Sequence, residues 1–267
     1  MQIVVLVKYV PDAAGPRRLT GPDLRLDRET DPGLLCELDE YAVEQALVAA
    51  GTHGGTVTAL TLGPAEAETA VRGALQMGAE SAVHLLDDAL AGSDAPGTSL
   101  ALAAAVERLG CDLLLTGMAS TDGGTGAVPA MIAERLGLPH LALADHLEVR
   151  EGEALIHRDR DRDTEVLRAP LPAVVSVTDR SGDPRYPTFR AIVAARKRQV
   201  TTWSLADLGV AADRVGAAGA RTAVDAVEQV PARQAGRVVV DTGDGAVQLV
   251  DFLAEQGLVP TPCPPTP

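Results

Sequence analysis

A glycine- and hydroxyl-rich loop follows the most apolar strand-like run of the chain. The run CDLLLTG spans residues 111–117, and ASTDGGTGAVPAMIAERLG continues over residues 119–137 into a helical pattern. Unpaired backbone amides at a helix N-terminus and the helix dipole together make an anion site. Glycines let the backbone come close to a ligand and adopt positive φ angles. The pattern therefore predicts a phosphate-binding turn that includes Gly117, Thr121, Asp122, Gly123, Gly124, Thr125 and Gly126.

The same loop lacks the lysine of a P-loop and the spacing of a GxGxxG fingerprint. Phosphoryl transfer is not expected, because no lysine meets a γ-phosphate and no clear magnesium ligand is present. A held monophosphate or diphosphate suits the loop better. From this stretch alone, an ordinary glycine-rich turn between strand and helix remains an equal alternative.

A second stretch, RSGDPRYPTFRAIVAARKRQ at residues 180–199, is strongly basic. No acidic residue occurs from 184 through 206, although the chain has 37 of them. Positive potential on a negative background favours a docking surface for an acidic partner. Tyr186, Phe189 and Ile192 are spaced by three and could supply an apolar anchor for the partner. The candidate docking residues are Arg185, Tyr186, Phe189, Ile192, Arg196, Lys197 and Arg198. The alternative is a basic exposed helix without a partner.

Composition narrows the possible functions. The 267 residues carry a net charge of −14, which argues against binding to nucleic acid or an anionic membrane. Cys36, Cys111 and Cys263 are widely spaced, so neither a disulfide framework nor a zinc site is expected. The first strand pattern begins next to Met1, and no apolar run is long enough to span a bilayer. We expect a cytoplasmic protein without membrane insertion.

Strand and helix patterns alternate along the first half of the chain. Short runs rich in Val and Leu at residues 3–7, 55–63, 81–86 and 111–117 predict buried strands. Helical patterns lie between and after them, at residues 37–51, 65–79, 98–110 and 127–136. This alternation predicts an α/β fold with a mainly parallel sheet flanked by helices. Ligands of such sheets bind at the carboxyl ends of strands, where the loop after residue 117 lies.

The pattern changes beyond residue 145. Residues 146–170 predict an added hairpin, and an apolar strand follows at 171–178. We predict an α/β domain at 1–200 that includes a recognition segment at 183–199. After it come an arm at 201–258, with a short helix at 246–256, and a disordered tail at 259–267.

Several ordered motifs resemble the β subunit of electron transfer flavoproteins, including the nitrogen-fixation-associated forms. The resemblance runs nearly end to end. It rests on VLVKYVPD, LDEYAVEQAL, TLGPAEAETAVRGALQMGA, STDGGTGAVPAMIAERLGLP and LPAVVSVTDRSGDPRYPTFRAIVAARKR.

The resemblance implies a Rossmann-like, HUP-type adenine-nucleotide-binding domain that holds a structural AMP. FAD would be held mainly by an α subunit, around which the C-terminal arm wraps. The heterodimer would carry electrons from acyl-CoA and related flavin dehydrogenases to a quinone oxidoreductase, so the chain is not itself expected to be an enzyme. The AMP site would comprise Leu6, Val7, Lys8, Leu38, Asp39, Leu62, Gly117 and the residues from Thr121 through Ala127 and Val128.

Two departures from the family pattern affect this assignment. Many members have Asn-Pro-aromatic where this chain has Cys36-Glu37-Leu38, which weakens the transfer of contacts to Leu38 and Asp39. The partner anchor, usually leucine, is Phe189 here. Two other functions remain open: an electron-bifurcating relative with a second FAD in place of AMP, and a stand-alone ATP-binding sensor of the universal-stress type.

Overall fold

The computed structural model describes residues 1–28, 30–228, 230–231 and 236–259. Cys263 and the predicted tail, apart from residue 259, lie outside the described residues. The chain divides into two compact units, Met1–Val227 and Glu228–Pro267. No helix in the described ranges is long and apolar enough to cross a membrane.

The strands of the described chain share the short lengths that the sequence predicts. They are β1 (Gln2–Leu6), β2 (Tyr9–Pro11), β3 (Leu19–Thr20), β4 (Arg25–Leu26), β5 (Gly33–Leu35), β6 (Thr56–Leu62), β7 (Ser81–Leu85), β8 (Leu113–Gly117), β9 (His140–Ala144), β10 (His146–Arg150), β11 (Glu153–Asp159), β12 (Thr164–Pro170), β13 (Ala173–Val177) and β14 (Val200–Trp203).

The α-helices lie mainly between the strands of the first unit. They are α1 (Glu37–His53), α2 (Glu68–Met77), α3 (Ala95–Leu109), α4 (Val128–Leu136), α5 (Phe189–Ala195), α6 (Gly216–Gly219) and α7 (Gly245–Glu255). Short 3-10 turns precede α2 and α3. The predicted helix at 246–256 is confirmed by α7, within one residue at each end.

Among the described residues, seven strands form one sheet in the order β14–β7–β6–β1–β8–β13–β9. All neighbouring strands in it are parallel. The predicted α/β fold with a parallel sheet flanked by helices is therefore confirmed. The carboxyl ends of β1, β6 and β8 lie side by side, so the residues that follow these strands meet at one edge of the sheet.

Each face of the sheet is covered by a different pair of helices. Alternate residues of a strand point to opposite faces. In β1, Val5 packs in the cluster that includes α1 and α2, whereas Val4 packs with residues of α3 and α4. Ile132 of α4 is fully buried in the second cluster, as its position on the helix's apolar stripe predicts. This packing fixes where each helix begins relative to the sheet edge.

The added hairpin is a three-stranded antiparallel sheet, β10–β11–β12. Residues 201–227, which the sequence analysis assigns to the arm, lie within the first unit. Strand β14 pairs with β7, and Leu205 and Val215 are buried. That the arm wraps a partner stays a prediction.

Candidate functional site

The loop between β8 and α4, residues 117–128, is called the glycine loop below. Its backbone takes the left-handed conformation at Gly124 and Gly126, with φ of 62° and 60°. The amides of residues 125–128 donate no hydrogen bond to another part of the described chain. Because these amides immediately precede and begin α4, the loop presents unpaired donors at the positive end of a helix.

A buried carboxylate organises the first half of the glycine loop. The Asp122 side chain is 0% exposed, and its Oδ1 accepts a hydrogen bond from Lys8 Nζ at 2.8 Å. Arg28 donates to Oδ2 through Nε at 3.2 Å and through Nη2 at 2.5 Å. Burial alone raises the pKa of Asp122, but the Lys8 charge and the bonds from Lys8, Ser120 and Arg28 outweigh it and hold the pKa well below its ordinary value. Asp122 is thus an ionised carboxylate held between two cations, Lys8 and Arg28.

Lys8 keeps part of its donor capacity. Besides Asp122, its ammonium group reaches Ser120 Oγ at 3.3 Å, and its side chain is 41% exposed. An ammonium group has three hydrogens, so one remains for a ligand. Lys8 lies in the two-residue link between β1 and β2, and this places its cation beside the glycine loop.

Asp39 occupies the first turn of α1 and faces the end of β8. Its Oδ2 accepts a hydrogen bond from the Lys8 backbone amide at 2.8 Å. Burial raises the pKa of Asp39 to about 7, although the amides of Lys8 and Gly117 and the Lys8 charge act in the opposite direction. The carboxyl group is turned into the protein, where it joins the ends of β1 and β8.

The remaining predicted nucleotide-site residues lie at the same edge in different surroundings. Leu6 and Val7 are buried in the two core clusters, and Leu62 and Leu38 are half-buried. The side chains of Leu6 and Val7 therefore serve the core, which leaves their backbone for a ligand. The structure brings the strand ends, the start of α1 and the glycine loop together at this edge.

Some polar groups at this edge were not predicted from the sequence. The Thr116 hydroxyl, at the end of β8, is buried without a hydrogen-bond partner in the described chain. Arg17 donates through Nη2 to the Thr121 carbonyl at 2.9 Å, and Arg28 pairs with Asp122. The two arginines come from a short polar excursion without periodicity or motif, so only the folded chain shows that they reach the loop.

The predicted docking residues divide into exposed and internally bonded groups. Tyr186 and Phe189 are 95% and 82% exposed, and Ile192 is half-buried. Arg185 pairs with Glu44 of α1, with Nε–Oε2 and Nη2–Oε1 distances of 2.7 and 2.8 Å. The bond from Arg185 is the main cause that lowers the pKa of Glu44.

Arg198 is also engaged within the protein, because its Nη1 donates to the Ala79 carbonyl at 2.8 Å. By contrast, Arg190, Arg196 and Lys197 are exposed and form no salt bridge with any described residue. The surface thus presents two aromatic rings beside three free cations.

Comparison with known proteins assigns the family. The model of the electron transfer flavoprotein domain matches residues 23–208. The chain is also 45% identical over 263 residues to the electron transfer flavoprotein subunit beta of Mycobacterium tuberculosis strain H37Rv, covering 96% of this chain and 99% of that protein. The chain belongs to the electron transfer flavoprotein β-subunit family. It is therefore an electron carrier subunit, as the sequence motifs predict.

More distant relatives of this electron transfer flavoprotein β subunit have other names. It is 31% identical over 263 residues to the caffeyl-CoA reductase-Etf complex subunit CarD of Acetobacterium woodii, covering 97% of this chain and 100% of that protein. It is 33% identical over 257 residues to protein FixA of Sinorhizobium fredii, covering 93% of this chain and 90% of that protein. Membership of this family argues against the stand-alone ATP-binding sensor.

Proposed function

We propose that the chain forms a heterodimer with an electron transfer flavoprotein α subunit and holds AMP at the glycine loop. The observation that carries the AMP assignment is the set of amides at residues 125–128, which donate to no described residue, near the half-exposed side chain of Lys8. Such donors at a helix N-terminus fit a phosphate group. FAD, which would carry the electrons, is held mainly by the α subunit.

The surroundings of the loop favour a monophosphate over a flavin. The three cationic groups Lys8, Arg17 and Arg28 lie around the loop, and Asp122 offsets one of them. Over these four side chains the net charge is about +2, which matches a phosphate monoester, whose charge near neutral pH is about −1.5 to −2. The unpaired Thr116 hydroxyl adds a buried polar group at the same strand end. The predicted site contains no aromatic side chain on which a flavin ring could stack.

In this proposal the AMP is a structural element and is not turned over. The chain's own residues bind the phosphate and order the strand ends around it. The recognition segment at 183–199 docks acyl-CoA dehydrogenases and related flavin dehydrogenases. The reduced heterodimer then passes its electrons to a quinone oxidoreductase. Phe189 is the anchor of this surface, and the whole cycle takes place in the cytoplasm.

The test is to purify the chain with its α subunit, denature it and identify the released nucleotides by mass. We expect AMP near one per β chain, besides the FAD of the α subunit. The variant Lys8→Met should lower the AMP content. Arg150→Met, which removes an exposed cation of β10 paired with Glu148, should leave it unchanged.

The same measurement separates the second candidate. An electron-bifurcating β subunit would release a second FAD in place of AMP, and the similarity to a subunit of the caffeyl-CoA reductase-Etf complex makes this outcome worth testing. Two FAD per heterodimer without AMP would overturn the AMP proposal. Equal AMP in wild type and Lys8→Met would overturn the role given to Lys8.

A further inference from the structure

Residues 12–28, called the strap below, leave the sheet edge after β2 and have no role in the function proposed so far. The strap contains the small antiparallel pair β3–β4, in which Leu19 pairs with Leu26 and Thr20 with Arg25. The backbone amide of Asp27 donates to the Arg18 carbonyl at 2.9 Å, which closes the hairpin. The strap is thus a folded projection.

The first and last parts of the strap are bonded to the glycine loop. Arg17 donates to the Thr121 carbonyl at 2.9 Å, and Arg28 forms a two-point contact with Asp122. The two anchors are adjacent in the loop, and the Asp122 carboxylate is completely buried under them. Both Arg28 nitrogens bond Oδ2, while Lys8 holds Oδ1. With Lys8 fixed on one oxygen, the Arg28 contact on the other determines the orientation of the carboxylate.

The tip of the strap reaches a different loop. The Arg25 guanidinium occupies the space that a Cβ at Gly92 would fill. Gly92 lies between β7 and α3, whereas Thr121 and Asp122 follow β8. In the sheet order, β6 and β1 lie between β7 and β8. The strap therefore bridges two loops on either side of the strand ends that carry Leu62 and Lys8.

We infer that residues 12–28 form a strap that closes the nucleotide crevice, and that Arg28 is the positioning residue that locks it by orienting Asp122. The inference rests on the nucleotide binding proposed above and adds a control on exchange. The ligand class is a nucleoside monophosphate, because its charge balances the cations that the strap and Lys8 bring to the loop. Exchange requires the Arg17 and Arg28 contacts to open, and the charge-assisted bond to the buried Asp122 carboxylate raises the free energy of that opening.

The rate of nucleotide release tests this inference directly. The full chain with its α subunit is loaded with isotope-labelled AMP, and the loss of label is followed after adding excess unlabelled AMP. Arg28→Met should release AMP about ten times faster, as expected from the loss of a charge-assisted contact. Arg28→Lys keeps the charge but loses the two-point contact, so its rate should lie between those of wild type and Arg28→Met.

A matched control and a double variant separate positioning from a general loss of structure. Arg18→Met lies in the same strap, where the Arg18 guanidinium is 3.9 Å from Asp31 and both side chains are exposed, and it should release AMP at the wild-type rate. Arg28 is inferred to act through Asp122. In a protein that already carries Asp122→Asn, Arg28→Met should therefore accelerate AMP release by a smaller factor than it does in the wild-type protein. A structural effect unrelated to Asp122 would make the two changes additive.

The outcomes are distinct. Wild-type release rates in both Arg28 variants, or additive effects in the double variant, overturn the strap inference alone. If Arg28→Met does not fold, Arg28→Lys against Arg18→Met decides between the same outcomes. A wild-type complex that takes up no AMP overturns the proposed function and this inference with it.

Discussion

The carboxylate of Asp39 lies directly against the α-carbon of Gly117. A Cβ at position 117 would come within 2.6 Å of Asp39 Oδ1 and 2.7 Å of the Leu38 carbonyl oxygen. The absence of a side chain at the end of β8 is what lets α1 begin there. The start of α1 and the start of the glycine loop are therefore in contact, and each limits the position of the other.

Gly117→Ala should destabilise the protein by about 1–3 kcal/mol, because neither the buried carboxylate nor the helix backbone can move aside freely. Urea denaturation measures the change in the free energy of unfolding. The control is Gly51→Ala in α1, where a Cβ would meet nothing within 4 Å. That change should be neutral or stabilise by up to about 1 kcal/mol, since alanine is the better helix former. Equal stability of Gly117→Ala and wild type would contradict the close contact.

The pH dependence of stability should depend on Asp39. Its pKa is raised by burial from 3.8 to about 7 in the folded protein, so the folded state binds the proton more tightly than the unfolded state. Its contribution to stability is fully present below 3.8 and is lost as the pH rises through about 7. Within this window the free energy of unfolding should fall by up to about 1.4 kcal/mol per pH unit from this group.

Asp39→Asn removes the titrating group. The difference between the pH profiles of wild type and variant therefore gives the contribution of Asp39 alone, without those of other carboxylates and of histidines. The measurement is urea unfolding of wild type and Asp39→Asn across this pH window. The variant should show the flatter profile, whatever its absolute stability. Parallel profiles would mean that Asp39 does not titrate there.

Phe189→Ala should impair electron transfer from a dehydrogenase partner without changing stability. The ring is 82% exposed, so its removal leaves the core intact and changes the free energy of unfolding by less than about 0.5 kcal/mol. If it is the docking anchor, kcat/KM for flavin reduction by the dehydrogenase should fall about tenfold or more. Val166→Ala, at another exposed apolar side chain, on β12, should leave that rate unchanged. An unaltered rate for Phe189→Ala with every dehydrogenase partner would refute the anchor role.

The cationic side chains of the recognition segment, residues 183–199, should separate into two classes. Arg196→Ala combined with Lys197→Ala removes free cations, so association with an acidic partner should slow and lose part of its salt dependence. Arg185→Ala should instead destabilise the fold by about 1 kcal/mol, because Glu44 loses its ion-pair partner. Stopped-flow reduction at several salt concentrations and thermal melts measure these two effects. The division fails if Arg185→Ala slows association as much as the double variant does.

Local patterns predicted most of the sheet and its helices correctly. The apolar stripe of α4 and the valine-rich run of β1 arise from neighbours in sequence, and both form where the patterns place them. The position of the glycine loop could be predicted because a loop that follows a buried parallel strand lies at the carboxyl ends of the strands, where such sheets bind ligands.

Long-range pairings could not be predicted in this way. The pairing of Arg28 with Asp122 joins residues 94 positions apart, and no local spacing announces it. Charge counting likewise could not show that Arg185 and Arg198 bond other parts of the chain, whereas Arg196 forms no salt bridge with any described residue. The edge position of β14 depends on packing against β7, which its own four residues do not specify.

The connection from residue 178 to residue 199, which contains the recognition segment, joins two strands that lie far apart in the same sheet. β13 lies next to one edge strand, and β14 is the edge strand on the other side. Along the way the connection is held by Gln45, which donates to the Ser181 carbonyl at 2.7 Å, and by Arg72, which donates to the Arg198 carbonyl at 2.6 Å. The connection is thus tied to α1 near its start and to α2 near its end by bonds within the chain itself. If this segment docks a dehydrogenase as proposed, binding immobilises few backbone groups. The conformational entropy lost on association is then small, and weak, rapidly reversed encounters can still be specific.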